Sequence, residues 1–177
     1  MITFSDPKKN IEQCGITLGM TIADLGAGSG FYTIEAAKAL HTSGKVYAVD
    51  VQKELLARLK NNAQKQGLHN IEVIWGDIEK IGGTHIKDNS IDLVMLCNVM
   101  FQFTDKKTVM NEVKRIVASG GKVLLIDWTD SFGGLGPHPG HVFSKVDAEA
   151  LFQLHGFSKY SEIQAGSHHY GFIYKKL

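Results

Sequence analysis

Residues Ile22 to Thr33 read IADLGAGSGFYT. An apolar run leads into three glycines at alternate positions, Gly26, Gly28 and Gly30, and a helix-like run leads out. Glycine weakens both strand and helix, so this density marks a place where something must come close to the backbone. A glycine-rich turn that follows a strand and opens a helix is where an open α/β sheet receives nucleotide-like ligands, because it lies at the strand's carboxyl end. Amides at the helix start can donate hydrogen bonds to such a ligand. Asp50 ends the next strand-like run, KVYAVDV, about twenty residues on, where a carboxylate can take both hydroxyls of a ribose. A plain strand-to-helix turn, with Asp50 capping the next helix, would also produce these residues. The setting of strand before, helix after and acid at the right distance favours a ligand.

The flanks repeat the alternation. MTIADL reads as a buried strand, and GFYTIEAAKALH puts Ile34, Ala37 and Leu40 at helical spacing. KVYAVDV is a second strand, and KELLARLKNNAQKQG a helix with Leu55, Leu56 and Leu59 on one face and Gly67 as its cap. NIEVIWGD and SIDLVMLCN are the third and fourth strands. DKKTVMNEVKRIVASGG reads as a helix with Val109, Val113, Ile116 and Val117 inward, closed by the glycine pair, and GKVLLIDW is the fifth strand. After Trp128 comes TDSFGGLGPHPGH, a loop by its glycine and proline content. A helix at KVDAEALFQLHG then precedes FSKYSEIQA and HHYGFIYKK, joined by a short turn containing Gly166 as an antiparallel hairpin. Near-continuous apolar strands separated by amphipathic helices predict an α/β fold: a Rossmann-like, doubly wound, mostly parallel seven-stranded sheet ending in that hairpin. Residues 1–177 form one domain, with no repeat or dividing linker.

Composition narrows the function classes. At 177 residues and 44% hydrophobic content the chain can bury one sizeable core. Nineteen Lys and Arg against 18 Asp and Glu give no basic field for nucleic acid. Cys14 and Cys97 match no metal or redox spacing, and the histidines no zinc pattern, so no metal is expected. MITFSDPKKN lacks the apolar core of a signal peptide, and no apolar run reaches membrane-spanning length. The expectation is a cytoplasmic protein without a membrane partner.

The ligand's class follows from what the loop lacks. A dinucleotide fingerprint requires glycine at position 31, which is Phe31, and no phosphate-binding P-loop occurs. Asp24 would repel a pyrophosphate but can accept from an ammonium, so a ligand with a ribose and an amino-acid end fits better. ADLGAGSG, AVDVQ, GDIEK, IDLVMLCNVM and VASGGKVLLID, in this order, resemble the motifs of class I S-adenosylmethionine-dependent methyltransferases across nearly the whole chain. The resemblance implies that Asp24, Gly26, Gly28 and Gly30 surround the cofactor's methionine part, with Phe31 beside them. It implies further that Asp50 takes the ribose hydroxyls and Val51 lies against the adenine. Asp77 would accept from the adenine amino group and Ile78 flank the ring, with Cys97 and Asn98 at the end of the fourth strand. FSDPKKNIEQCGITLGMTIADLGAGSGFYT is similar to small methyltransferases of the ubiquinone/menaquinone-biosynthesis and arsenite-methylating types, although the third and fourth cysteines for arsenic are missing.

Methyl transfer needs alignment and exclusion of water more than a catalytic side chain. Cys97-Asn98-Val99-Met100 departs from the Asn-Pro-Pro-aromatic sequence of amino-methylating enzymes. Asn98 can hold a ligand by its amide or cap the turn. Candidate proton acceptors are His138, His141 and Asp127, with His168 and His169 at the opening of the last strand; for each histidine, a hydrogen-bonded loop or surface role is the plainer reading. Phe31, Tyr32, Trp128 and Phe132 are candidates for an apolar wall, or for ordinary core. Residues 1–16, with Ser5 or Asp6 as N-cap, Pro7 in the first turn and Phe4 as anchor, form a helical segment placed to cover the site together with loop 129–143. Covered in this way, the site takes a small-molecule acceptor; left open, a macromolecular one. A non-catalytic S-adenosylmethionine-binding module and a nucleotide-dependent oxidoreductase are the competing readings, the latter disfavoured by Phe31.

Overall fold

A computed structural model describes residues 5–177; Phe4 lies outside the described residues. The elements are α1 Pro7–Glu12, β1 Thr21–Leu25, α2 Phe31–Ala39, β2 Lys45–Asp50, α3 Lys53–Lys65, β3 Ile71–Trp75, β4 Ile91–Cys97, α4 Lys106–Ile116, β5 Val117–Trp128, α5 Lys145–Leu154, β6 Phe157–Ile163 and β7 His169–Lys176. They build a seven-stranded sheet in the order β3-β2-β1-β4-β5-β7-β6. β1 to β5 are parallel, and β7 runs antiparallel to both β5 and β6. The chain crosses from one side of β1 to the other between β3 and β4, so the carboxyl ends of β1 and β4 face a crevice.

Alternate strand residues feed two cores, one on each face. Ala23, Leu25, Val94 and Leu96 meet Val109 and Val113 of α4 and Phe152 of α5. Ile22, Met95, Leu124 and Ile126 meet Ile11 of α1 and Ala36 and Leu40 of α2. α1 starts as its sequence signals: Asp6 is the N-cap and accepts from the Lys9 amide, and Pro7 opens the first turn. Asn10 donates to the Tyr32 hydroxyl at 2.9 Å and to Ser5 at 2.9 Å, which fixes α1 against α2. Burial drives the Tyr32 hydroxyl's pKa upward, so it stays protonated in that cluster.

Two expectations need correction. The fourth helix stops at Ile116, and Val117 already belongs to β5. The glycine pair does not close a helix; pairing with β4 jumps from Ile91–Val117 to Leu93–Lys122, and Ala118–Gly121 bulge out between. Lys176 takes the place of a loop cap, donating to the Lys114 and Val117 carbonyls that the abrupt ending exposes. Leu55 is only half-buried, whereas Leu56 and Leu59 are in the core. Among the described residues no helix is long and apolar enough to cross a membrane.

Candidate active site

The carboxyl ends of β1, β2 and β4, with the segment just after β3, enclose a cavity of about 470 Å³. The first loop contributes Asp24, Gly26, Gly28 and Phe31 to its wall; the end of β2 contributes Asp50 and Val51. Asp77 and Ile78 come from beyond β3, and Cys97 and Asn98 from the end of β4. Ser5 and Pro7 close part of the rim.

The three glycines of the first loop do different things. A Cβ on Gly26 would stand 2.5 Å from Val99 Cγ2, and one on Gly30 would overlap the buried Leu59 side chain, so these two admit neighbouring elements. At Gly28 a Cβ would meet nothing within 4 Å. It faces the cavity, with φ of +53°. Its amide donates to Asp50 Oδ2 at 2.8 Å, while Asp50 Oδ1 accepts from the Gln52 amide at 2.8 Å. Each carboxylate oxygen retains a lone pair for a hydroxyl donor.

Asp24 is buried at the foot of the cavity. Burial pushes its carboxyl up to about 6, and the Thr33 hydroxyl, donating at 2.5 Å, pulls the other way. Cys97 stays a thiol, because burial, and next the nearby Asp24, raise its pKa. Asn98 holds φ at +57°, in the left-handed region where asparagine is among the few tolerated residues. Its Oδ1 is buried with no hydrogen-bond partner among the described residues, so the side chain does not cap the turn through that oxygen. A strained backbone and an unsatisfied acceptor at a cavity wall are what a ligand-facing residue presents.

Residues 16–155 match the family model described as "Methyltransferase domain". The chain belongs to this methyltransferase family. It is 30% identical over 109 residues to an arsenite methyltransferase of Halobacterium salinarum, which covers 62% of the chain and 27% of that protein. It is 28% identical over 120 residues to the demethylmenaquinone methyltransferase of Oceanobacillus iheyensis, covering 68% of the chain and 49% of the relative. The chain thus spans half or less of the length of these curated relatives. The crystal structure of a SAM-dependent methyltransferase from Aquifex aeolicus superposes with a TM-score of 0.88 at 28% identity, covering 98% of this chain and 91% of that one.

Several expected residues lie outside the cavity of the methyltransferase domain. Gly30 caps α2 behind the wall. Asp127 is fully buried beneath the 3-10 turn Met100–Gln102, its Oδ2 accepting from the Phe101 amide and its Oδ1 from the Trp128 amide. Burial pushes its carboxyl up to about 7. His138 and His141 are exposed in the loop after β5 and do not line the cavity. Of the four aromatics, Phe31 and Tyr32 line it; Trp128 packs on His169 with ring centroids 4.3 Å apart, and Phe132 stacks on His168 at 3.8 Å. Leu55 and Phe103 are wall residues that no sequence motif contains. Only Leu55 carried a signal: an apolar residue in the first turn of the helix after Asp50, one position off the core stripe.

Proposed function

We propose that this methyltransferase domain binds S-adenosylmethionine in the cavity at the carboxyl ends of β1, β2 and β4 and passes its methyl group to a small-molecule acceptor. The carrying observation is the convergence, on one cavity, of an open Gly28 and two acceptors with free capacity, Asp50 and Asn98. These residues fit the cofactor: Asp50 accepts from the ribose hydroxyls, Gly28 leaves room for the chain beside them, and Asp24 and Asn98 accept from the amino-acid end. Val51 and Ile78 flank the base, and Asp77 accepts from its amino group. When bound, the cofactor supplies an activated methyl on a sulfonium, so the protein's task is to align the acceptor and exclude water. Phe31, Tyr32 and Phe103 supply apolar surface for that purpose. The relatives named above act on arsenite and demethylmenaquinone, which supports a small-molecule acceptor. Ser5 and Pro7 at the rim support an N-terminal segment that covers the site. The two free thiols suit a cytoplasmic location.

Calorimetry with S-adenosylhomocysteine tests the assignment. Asp50→Ala should weaken binding by ~1.5–3 kcal/mol, the range for hydrogen bonds to a charged group. The upper end is expected, because the Gly28 amide loses its acceptor as well. Unchanged affinity in a folded variant would remove Asp50 from the site.

Asp24 gives the binding a pH dependence. Its carboxyl must be ionised to receive an ammonium, so affinity should fall about tenfold between pH 7 and pH 5 as the group protonates near 6. Stability of the ligand-free protein moves oppositely. A carboxyl whose folded pKa is raised contributes stability below its unfolded value, and that contribution is lost as pH rises through about 6. Asp24→Asn should flatten both profiles; a variant that keeps the wild-type slope in affinity would exclude Asp24 from ammonium binding.

A further inference from the structure

Across the 3-10 turn Met100–Gln102 lies a second recess of about 470 Å³. Gln102 and Phe103 line both recesses, so a single layer of side chains separates them. The walls of the second are aromatic and aliphatic: Phe101, Phe103, Val142 and Phe143. Its polar groups are Lys106, His141, Asp147, Gln102 and Thr104.

Lys106 is the feature that selects an occupant. Its Nζ donates to the Phe103 carbonyl at 2.5 Å and stands 5.5 Å from the centre of the Phe143 ring. An ammonium has three donors, so this contact leaves two. The carboxylates nearby are engaged by other groups. Asp105 accepts from the Lys107 and Thr108 amides and the Thr108 hydroxyl. Asp147 is bonded to Ser144 Oγ at 2.6 Å, and both oxygens of the buried Asp127 are taken by amides of Phe101 and Trp128. A half-buried cation among aromatic rings, with no acid bonded to it among the described residues, attracts an anion attached to a flat apolar body.

We propose that this recess binds an aromatic carboxylic acid, with the carboxylate on Lys106 and the ring against Phe101, Phe103 and Phe143. With the Gln102 and Phe103 side chains turned aside, the recess opens into the first cavity and becomes the acceptor site. That last step rests on the methyl-transfer reading; the binding site itself does not.

The probe is 2-naphthoate, followed by its own fluorescence in the full chain without cofactor, with S-adenosylhomocysteine affinity measured in parallel. Saturable one-to-one binding is expected. Lys106→Met should weaken it by about tenfold or more, as loss of a charge-assisted hydrogen bond requires. Lys106→Arg, which keeps the charge, should restore most of it, and the neutral analogue 2-naphthamide should bind wild type as weakly as 2-naphthoate binds Lys106→Met. Equal affinity of wild type and Lys106→Met for 2-naphthoate, or no saturable binding at millimolar concentrations, overturns the site. Lys106-dependent binding of 2-naphthoate without any binding of S-adenosylhomocysteine upholds the recess and overturns the methyl-transfer reading. An unchanged melting temperature of Lys106→Met shows that the variant is folded, and Lys106→Arg controls for the lost bond to the Phe103 carbonyl.

Discussion

Valine at position 30 should cost the domain ~2–5 kcal/mol of stability, and valine at position 28 should leave it folded but unable to hold cofactor. The two glycines are two residues apart and both have positive φ, +85° and +53°. They differ in what a side chain would meet. At Gly30 it would overlap Leu59, a core residue with no exposed surface that cannot move without displacing α3. Overpacking of ~1–3 kcal/mol adds to a left-handed backbone penalty of ~1–2 kcal/mol, larger still for a β-branched residue. At Gly28 only the backbone penalty applies, because the Cβ projects into open space. The valine there fills volume that the ligand needs and crowds the amide that bonds Asp50. Thermal melts and calorimetry of the two variants separate these effects. A Gly28→Val protein that binds S-adenosylhomocysteine as wild type does would show that the cofactor does not pass this loop.

Glu112→Ala should cost ~3–5 kcal/mol of stability, the loss that follows removal of one partner from a buried ion pair. Glu112 has no exposed surface and sits on α4. Its carboxylate accepts from the Gly82 amide at 2.7 Å, the Thr84 hydroxyl at 2.6 Å and Arg115 Nη2 at 2.7 Å. Arg115 also donates to the Ile86 carbonyl and to Asp88, so the pair gathers the whole segment between β3 and β4 onto the helix. Burial alone would raise the Glu112 carboxyl; the bonds from Arg115, Thr84 and Gly82 override it and hold the group at about 2. A depressed pKa means that this stabilisation is full above the ordinary carboxylate value near 4.5 and is lost as pH falls through about 2. The melting temperature of wild type should therefore drop across that window, and Glu112→Gln should lack this part of the decline. The gathered segment carries Asp77 and Ile78, so cofactor affinity should fall with stability. A melting temperature within about 1 °C of wild type would rule out the clamp.

The parts of this molecule legible in the sequence were those with local grammar. The glycine loop, Asp50 and the order of strands and helices follow from periodicity and turn chemistry, and Pro7 with Ser5 or Asp6 as N-cap announced α1, the structure choosing Asp6. The junction after Ile116 was not legible. Arg115-Ile116-Val117-Ala118 keeps helical spacing of apolar residues, and only pairing with β4 and the grip of Lys176, some sixty residues away, decides for strand. In the site, the motif residues other than Gly30 came out at the cavity wall, whereas His138, His141 and Asp127 did not. The positions of His138 and His141 depend on how a long loop folds, and Asp127, on β5, is held under the turn Met100–Gln102 by the Phe101 amide. Asn98 shows the converse. Its left-handed backbone and unsatisfied amide oxygen are tertiary facts that no spacing rule encodes.

The sheet order also governs the sequence of events during synthesis. β7 is made after both β5 and β6, yet it lies between them. Until residues 169–176 have left the ribosome, β5 presents an unpaired edge from Lys122 to Trp128, and β6 has no neighbour to pair with. The same late segment delivers Lys176 to the end of α4. A nascent chain that stops short of it carries an exposed apolar strand edge, the template on which chains aggregate. Chaperone demand should therefore peak just before β7 emerges, and loss of a few β7 residues should do more harm than a deletion of equal length within the exposed loop after β5.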